Sequence, residues 1–297
     1  MLNGIICINK PEDFTSFDVV KKLRGITKVK KIGHAGTLDP MATGVLPIFL
    51  GVATKACDIL PNNDKRYTAS FKFGLETDTE DIWGNVTKEY DKKVTKKDIL
   101  DILPSFTGEI SQIPPMYSAI QINGKRLYDL ARQGIEVERE ARKITVYEIS
   151  LLSFDESSQE GVFDISCSKG TYIRTIISDI GKKLCCGGIM TALNRTEASG
   201  FTLSDCMTFE EVEKAVADNT LTPLPVEKAF SPYPEIRLSE IQTRMFSNGV
   251  TLDLRRIRHQ KQETARVYSF DGSFLGLATL NFETNELKLL KFFIERK

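Results

Sequence analysis

The run Gly33-His34-Ala35-Gly36-Thr37-Leu38-Asp39-Pro40-Met41-Ala42-Thr43-Gly44 limits this chain more than any other segment. Glycines, threonines and a proline surround one carboxylate, a mixture that makes neither a sound helix nor a regular strand. Pro40 also biases the backbone of Asp39 toward an extended conformation. The segment is therefore expected to be a constrained loop that holds one acidic side chain at a fixed angle.

Regular structure is expected on both sides of it. GIICIN is a short apolar strand stopped by Lys10-Pro11. Thr15 or Ser16 can cap a helix through SFDVVKKLRGI, in which Phe17, Val20 and Leu23 have helical spacing. After the loop, VLPIFLG reads as a strand and ATKACDIL as a short helix. YTASFKFGLET alternates like a strand with its aromatic residues on one side. Residues 76–84 are acidic and turn-rich, and TKKDILDILPSF reads as a capped helix running up to Pro104. KITVYEISLLSF, GVFDISCS and MTALNRTEASG read as strands, and FEEVEKAVAD as a helix. The spacing of Ile173, Ile176, Ile177, Ile180 and Leu184 predicts a helix over 172–184 with those residues buried.

Residues 113–143 differ in being polar and dense in both charges, with a helical piece near RLYDLARQG closed by Gly134. They are expected to stand off the body as a mobile projection. Pro223, Pro225, Pro232 and Pro234 mark a boundary between a main unit at 1–230 and a small β-rich unit at 235–297. Strands and helices without regular βαβ alternation point to an α+β body.

Lys plus Arg and Asp plus Glu both number 40, so bulk charge gives no support to a nucleic-acid partner, and local patches must carry any such claim. Two exist: Lys21, Lys22, Arg24, Lys28, Lys30 and Lys31 with no acid among them, and Arg255, Arg256, Arg258 and Lys261. No long apolar run predicts a membrane span, and no secretory signal is expected at MLNGIICINKPED. Cys7, Cys57, Cys167, Cys185, Cys186 and Cys206 form no C-x-x-C pair and read as reduced thiols of a cytoplasmic protein.

GHAGTLDPMATGVLPIFLGVATK resembles the active-site loop of the TruB family of pseudouridine synthases, which isomerise a uridine in the tRNA T-loop. Five further segments resemble the family in the family's order: INKPEDFTS (with Asp13 where glycine is usual), KRYTASFKFGLETDTED, IPPMYSAIQINGKRLYDLARQG, SKGTYIRTIISDIG and ALNRTEASG. The resemblance implies a pseudouridine synthase catalytic domain with a mixed or antiparallel sheet. It also implies an RNA-gripping insertion at about 113–143 and a C-terminal PUA-like RNA-binding domain.

The implied reaction breaks the C1′–N1 bond of a uridine, rotates the uracil and joins C1′ to C5. It adds no atoms, so no cofactor or metal is expected. The resemblance assigns the catalytic carboxylate to Asp39, acting as a nucleophile or in removing a sugar proton. It makes Arg174 the partner that keeps Asp39 ionised and aimed. Tyr67 would stack on a base flipped out of the tRNA loop, with its hydroxyl a candidate general base for the C5 proton. Tyr172 and Leu193 would line the pocket, and His34 would contact the RNA. Lys10 and Lys55 would serve the phosphates or orient the loop. The expected partner is tRNA, held at T-loop and acceptor stem, with no guide RNA, no membrane and a monomeric enzyme.

Two other readings compete. One is an RNA-binding or RNA-remodelling protein of the same fold without catalysis, against which the set Asp39, Tyr67 and Arg174 argues. The other is a guide-RNA-dependent pseudouridine synthase, against which the GVLPIFLGVATK continuation argues. A metal-dependent hydrolase lacks ligands, since two distant histidines have no paired carboxylates beside them.

Overall fold

The computed structural model describes residues 2–118, 120–122 and 124–294. Met1, Ala119, Asn123 and 295–297, which fall within the expected domains and insertion, lie outside the described residues. In chain order the first elements are β1 (Gly4–Lys10), α1 (Ser16–Thr27), β2 (Ile32–His34), β3 (Thr43–Leu50), β4 (Lys65–Phe73), β5 (Leu75–Thr77) and β6 (Val86–Glu89). Next come α2 (Lys96–Ile102), β7 (Gly108–Gln112), β8 (Gln121–Ile122), β9 (Lys125–Arg126), α3 (Leu127–Ala131), β10 (Arg142–Asp155) and β11 (Glu160–Cys167). The body closes with α4 (Ile173–Lys183), β12 (Gly188–Ala198), β13 (Phe201–Thr202), β14 (Cys206–Met207) and α5 (Phe209–Ala217). The C-terminal part holds β15 (Glu235–Arg237), α6 (Glu240–Ser247), β16 (Leu252–Asp253), β17 (Thr264–Tyr268), β18 (Phe274–Asn281) and β19 (Glu286–Phe292).

One large mixed sheet runs β14-β1-β3-β12-β4-β11-β10-β7, with β2 added beside β3 and β13 beside β12. Strands β1 and β3 bury side chains on both faces: Ile5, Ile6, Cys7 and Ile8 are all in the interior, as fits a covered strand, whereas β4 and β11 alternate. The decisive neighbours are β3, β12 and β4. Strand β12 pairs parallel with β3 and antiparallel with β4. The loop carrying Asp39 leaves β2 and returns through β3, and so lies over this part of the sheet. Helix α4 packs against β12 and β4, with all five predicted apolar residues buried.

Local sequence explains the helix starts. Thr15 and Asp18 form a capping box on α1, and Thr95 and Asp98 form another on α2. Two details differ from expectation. Phe17 is 61% exposed, and Val19 fills the α1 interface beside Val20 and Leu23; as the second residue of the helix, Phe17 points away from the sheet. The α2 segment does not stop at Pro104 but tightens into a 3-10 turn over Leu103–Phe106, where proline at the first turn costs nothing.

The C-terminal sheet runs β15-β17-β18-β19-β16 around its own apolar core, which includes Ile236, Leu238, Phe246, Ala265, Val267 and Leu280. It seats on the body through aromatic rings. Phe293 lies 5.4 Å from Phe230 and 5.7 Å from Phe274, in one cluster with Ile5, Val45 and Phe49 of β1 and β3. No helix among the described residues is long and apolar enough to cross a membrane.

Candidate active site

The loop between β2 and β3 is held at almost every residue. Leu38, Met41 and Ala42 are buried in the main core cluster, next to Tyr67 and Leu193. Ser16, buried at the start of α1, donates from Oγ to the Leu38 carbonyl (3.2 Å) and accepts from the Leu38 amide (2.8 Å). The Pro40 carbonyl accepts from the Asp13 amide at 3.0 Å and from Lys10 Nζ at 3.0 Å. Asp13 has φ 64, a left-handed conformation that aspartate tolerates better than most residues and glycine adopts freely. Gly44 closes the loop at φ 102, where an added Cβ would come within 2.2 Å of the Arg195 carbonyl oxygen.

From this frame the Asp39 side chain reaches Arg174. Nη2 of Arg174 lies 3.1 Å from Oδ2 of Asp39. The arginine is 7% exposed and the aspartate 45%, so the carboxylate is anchored on one side and open to solvent on the other.

Arg174 makes more contacts than that reading supplies. Its Nη1 pairs with Oδ2 of Asp81 at 3.2 Å, with both side chains buried. It also donates to the Thr79 carbonyl at 3.1 Å and, through Nη2, to the Tyr117 carbonyl at 3.0 Å. Asp81 is in turn fixed by Thr79 Oγ1 (2.6 Å) and the Trp83 amide (3.1 Å). Buried Gln112 holds the entry to α4 by exchanging hydrogen bonds with the amide and carbonyl of Tyr172, at 2.9 and 3.0 Å. The guanidinium is thus over-determined and has little freedom to turn away from Asp39.

Tyr67 is buried on β4, and burial pushes its phenol up to about 12. Leu193, across the sheet, is buried in the same cluster, and Tyr172 is half-buried at the start of α4. His34 is half-buried on β2. Burial first, and the Arg195 charge second, lower its pKa, so its ring is neutral, and its buried Nδ1 has no hydrogen-bond partner among the described residues.

Lys10 takes the loop-orienting one of its two expected roles, and Lys55 holds a different part of the chain. Lys10 is fully buried and donates to the carbonyls of Pro11 (2.8 Å), Phe14 (2.5 Å) and Pro40 (3.0 Å). An ammonium that donates to three carbonyls in the interior orients the loop. Burial pushes its pKa down to about 8, although Asp39 opposes that shift. Lys55 donates to the Phe292 carbonyl at 3.0 Å and so ties the turn at Gly51–Ala56 to the C-terminal sheet, not to Asp39. Asp81, Gln112 and Arg195 are the residues that sequence reading passed over. For Arg195 a signal existed: Leu193 and Arg195 are two apart in one strand and share a face, which puts a charge at a core position.

Comparison with known proteins agrees with this frame. Chains in a solved Cbf5-Nop10-Gar1 complex and in an H/ACA ribonucleoprotein bound to a substrate RNA containing 2'-deoxyuridine superpose with TM-scores of 0.76 and 0.75. Each match covers 99% of this chain, with 85% and 86% of the other chain covered. At 24% and 22% identity these likenesses define the fold. The family model described as "TruB family pseudouridylate synthase (N terminal domain)" matches residues 24–173. That described as "tRNA pseudouridylate synthase B C-terminal domain" matches 174–232 and ends just before β15. A relative in Clostridium tetani, named tRNA pseudouridine synthase B, is 46% identical over 279 residues, which is 93% of this chain and 95% of that protein. One of the same name in Clostridium kluyveri is 41% identical over 296 residues, 99% and 100% of the two chains. The chain belongs to the TruB family of pseudouridylate synthases.

Proposed function

We propose that this protein isomerises uridine to pseudouridine at position 55 in the T-loop of tRNA, acting in the cytoplasm as a stand-alone monomer without guide RNA, cofactor or metal. The observation that carries the reading is the chain Asp39–Arg174–Asp81, with contacts of 3.1 and 3.2 Å. One carboxylate of the chain is open to solvent, and the other is buried and holds the arginine. Such an arrangement sets the Asp39 carboxylate beside a fixed cation and holds its open side in one direction.

In this reading Asp39 is the catalytic carboxylate. Arg174 orients it, and the tRNA, once bound, covers its open face. The target base is flipped out of its stack at a cost of about a few kcal/mol. Stacking on an aromatic ring, worth ~1–3 kcal/mol per base, offsets that cost, and Tyr67 is the ring assigned to this. With its phenol pushed up to about 12, Tyr67 stays protonated near neutral pH and serves better as a hydroxyl donor than as the base that takes the C5 proton. Leu193 and Tyr172 form the walls, and His34, neutral, faces the RNA. Residues 1–230 then act as the catalytic domain, 113–143 as the RNA-gripping insertion and 235–297 as a PUA-like domain that holds the acceptor stem.

The test is to incubate bulk tRNA with the purified protein alone and map pseudouridine. Product at the T-loop position without added RNA is expected. Product that requires a guide RNA would favour the guide-dependent reading, and tRNA binding without product would favour the non-catalytic one.

A further inference from the structure

Arg195 has no exposed surface and is the largest fully buried side chain among the described residues. No carboxylate lies within ion-pair distance of it among the described residues. Burying a charge without a counter-ion is costly, and a thioether or aliphatic chain of similar length would fill the same space at less cost. The guanidinium instead meets main chain on both sides of the catalytic loop. Nε donates to the Val45 carbonyl at 2.8 Å, Nη2 to that of Gly36 at 3.0 Å and Nη1 to that of Thr37 at 3.4 Å. A rigid fork of donors can span three such acceptors at once.

Its second neighbour is Tyr67. Arg195 and Tyr67 are direct cross-strand partners on β12 and β4, so their side chains leave the same face of the sheet. Gly44, where the loop rejoins the sheet, is the partner of Arg195 on the other side. One residue therefore touches the start of the loop, its end and the strand that carries the buried phenol.

We propose that Arg195 is a positioning residue for the reaction: its guanidinium fixes the loop at Gly36 and Thr37, on the N-terminal side of Asp39, and sets that loop against Tyr67. Lys10 clamps the C-terminal side at Pro40, so Asp39 sits between two buried cations that hold backbone and not carboxylate. The electrostatics agree with the geometry. Burial drives the Tyr67 phenol up, and the Arg195 charge opposes that rise.

The part of this inference that concerns rate rests on the isomerase reading above; the part that concerns the loop does not. Arg195→Lys and Arg195→Met are compared with wild type, each well below its own unfolding temperature, so that lost stability alone shows as a normal rate. Single-turnover isomerisation of tRNA is expected to slow by about tenfold or more in Arg195→Met, with partial recovery in Arg195→Lys and tRNA affinity within about threefold. Combination of Arg195→Lys with Tyr67→Phe should give a rate loss clearly smaller than the product of the two single losses, since both act through one contact. Independently of activity, amide exchange over 35–43 should quicken in Arg195→Met while exchange in β10 and β11 stays unchanged. Wild-type rates with a lowered unfolding midpoint, fully multiplicative losses, or unchanged exchange over 35–43 would each overturn the proposal. Wild-type protein that makes no pseudouridine, with exchange altered as expected, would sink the isomerase reading and leave the loop clamp standing.

Discussion

The loop at 35–42 and the insertion at 113–143 meet at Arg174 yet are built in opposite ways. The loop is short and fixed from every side: Ser16 at Leu38, Lys10 and the Asp13 amide at Pro40, Arg195 at Gly36 and Thr37. The insertion is long and polar. Leu127 and Leu130 are buried, Arg139 donates to the Pro114 carbonyl at 3.2 Å, and Arg174 reaches the Tyr117 carbonyl. Its outward side carries a cavity of about 590 Å³ lined by Lys125, Arg126, Asp129 and Arg132 among others, with Arg126 and Arg132 both over the Tyr128 ring. The difference teaches a division of labour. In the proposed function, chemistry at Asp39 needs a geometry that does not relax, whereas grip on a phosphate backbone by the insertion needs cations that can adjust. Arg174 reports between the two, since one guanidinium touches both.

The comparison is broken most severely at that arginine. Arg174→Met should lower single-turnover isomerisation by at least about 10²-fold, because the reacting group loses its position. It should also cost ~3–5 kcal/mol of stability, because Asp81 is left buried and unpaired. Rapid-quench kinetics and denaturant unfolding check both, and a near-normal rate would detach Arg174 from the chemistry. Asp81→Asn should act in the same direction but more weakly, about tenfold in rate, since Arg174 keeps its bonds to Asp39, Thr79 and Tyr117. A loss as large as that of Arg174→Met would mean that Asp81 does more than hold the arginine.

Lys10 sharpens the rigid side through pH. Its folded pKa of about 8 lies below the 10.5 of an unburied lysine. Between those values the unfolded chain binds more protons than the folded one, so Lys10 makes stability rise with pH from about 8 upward, and that gain is lost as pH falls through 8. Lys10→Met should remove this rise. Unfolding midpoints measured from about pH 7 to about pH 11.5, roughly one unit beyond each of the two pKa values, give the answer, and parallel curves for the two proteins would contradict it. The smallest effect is expected on the adaptable side. Arg126→Ala with Arg132→Ala should weaken tRNA binding and flatten its salt dependence by about one unit of slope per lost phosphate contact. The rate once tRNA is bound should be unchanged, and a slowed bound reaction would show that the insertion also shapes the site.

Most of the scaffold was legible because it follows periodicity. The five apolar residues of α4 are buried as their spacing predicts, and alternation in KRYTASFKF puts Tyr67, Phe71 and Phe73 inside. Phe17 misled because it is apolar and in phase but lies at the solvent edge of the first turn. At the site, the pairing of Asp39 with Arg174 came only from the resemblance, since no spacing rule joins residues on separate elements so far apart in sequence. Gln112 and Arg195 were missed, and Lys10 was left between two roles, for one shared reason. Their partners are backbone carbonyls and amides, which every residue carries, so nothing in the partner's identity announces the contact. Asp81 sat in the acidic run at 76–84, where burial of one carboxylate among several has no sequence mark.

Asp39→Asn keeps the shape of the side chain and removes its charge. Single-turnover conversion of a tRNA uridine to pseudouridine, measured beside tRNA affinity, should fall to background while affinity stays within about threefold, because the carboxylate contributes to the reaction and little to the grip. A variant that converts tRNA at close to the wild-type rate would contradict the claim that the open end of the Asp39–Arg174–Asp81 chain does the chemistry.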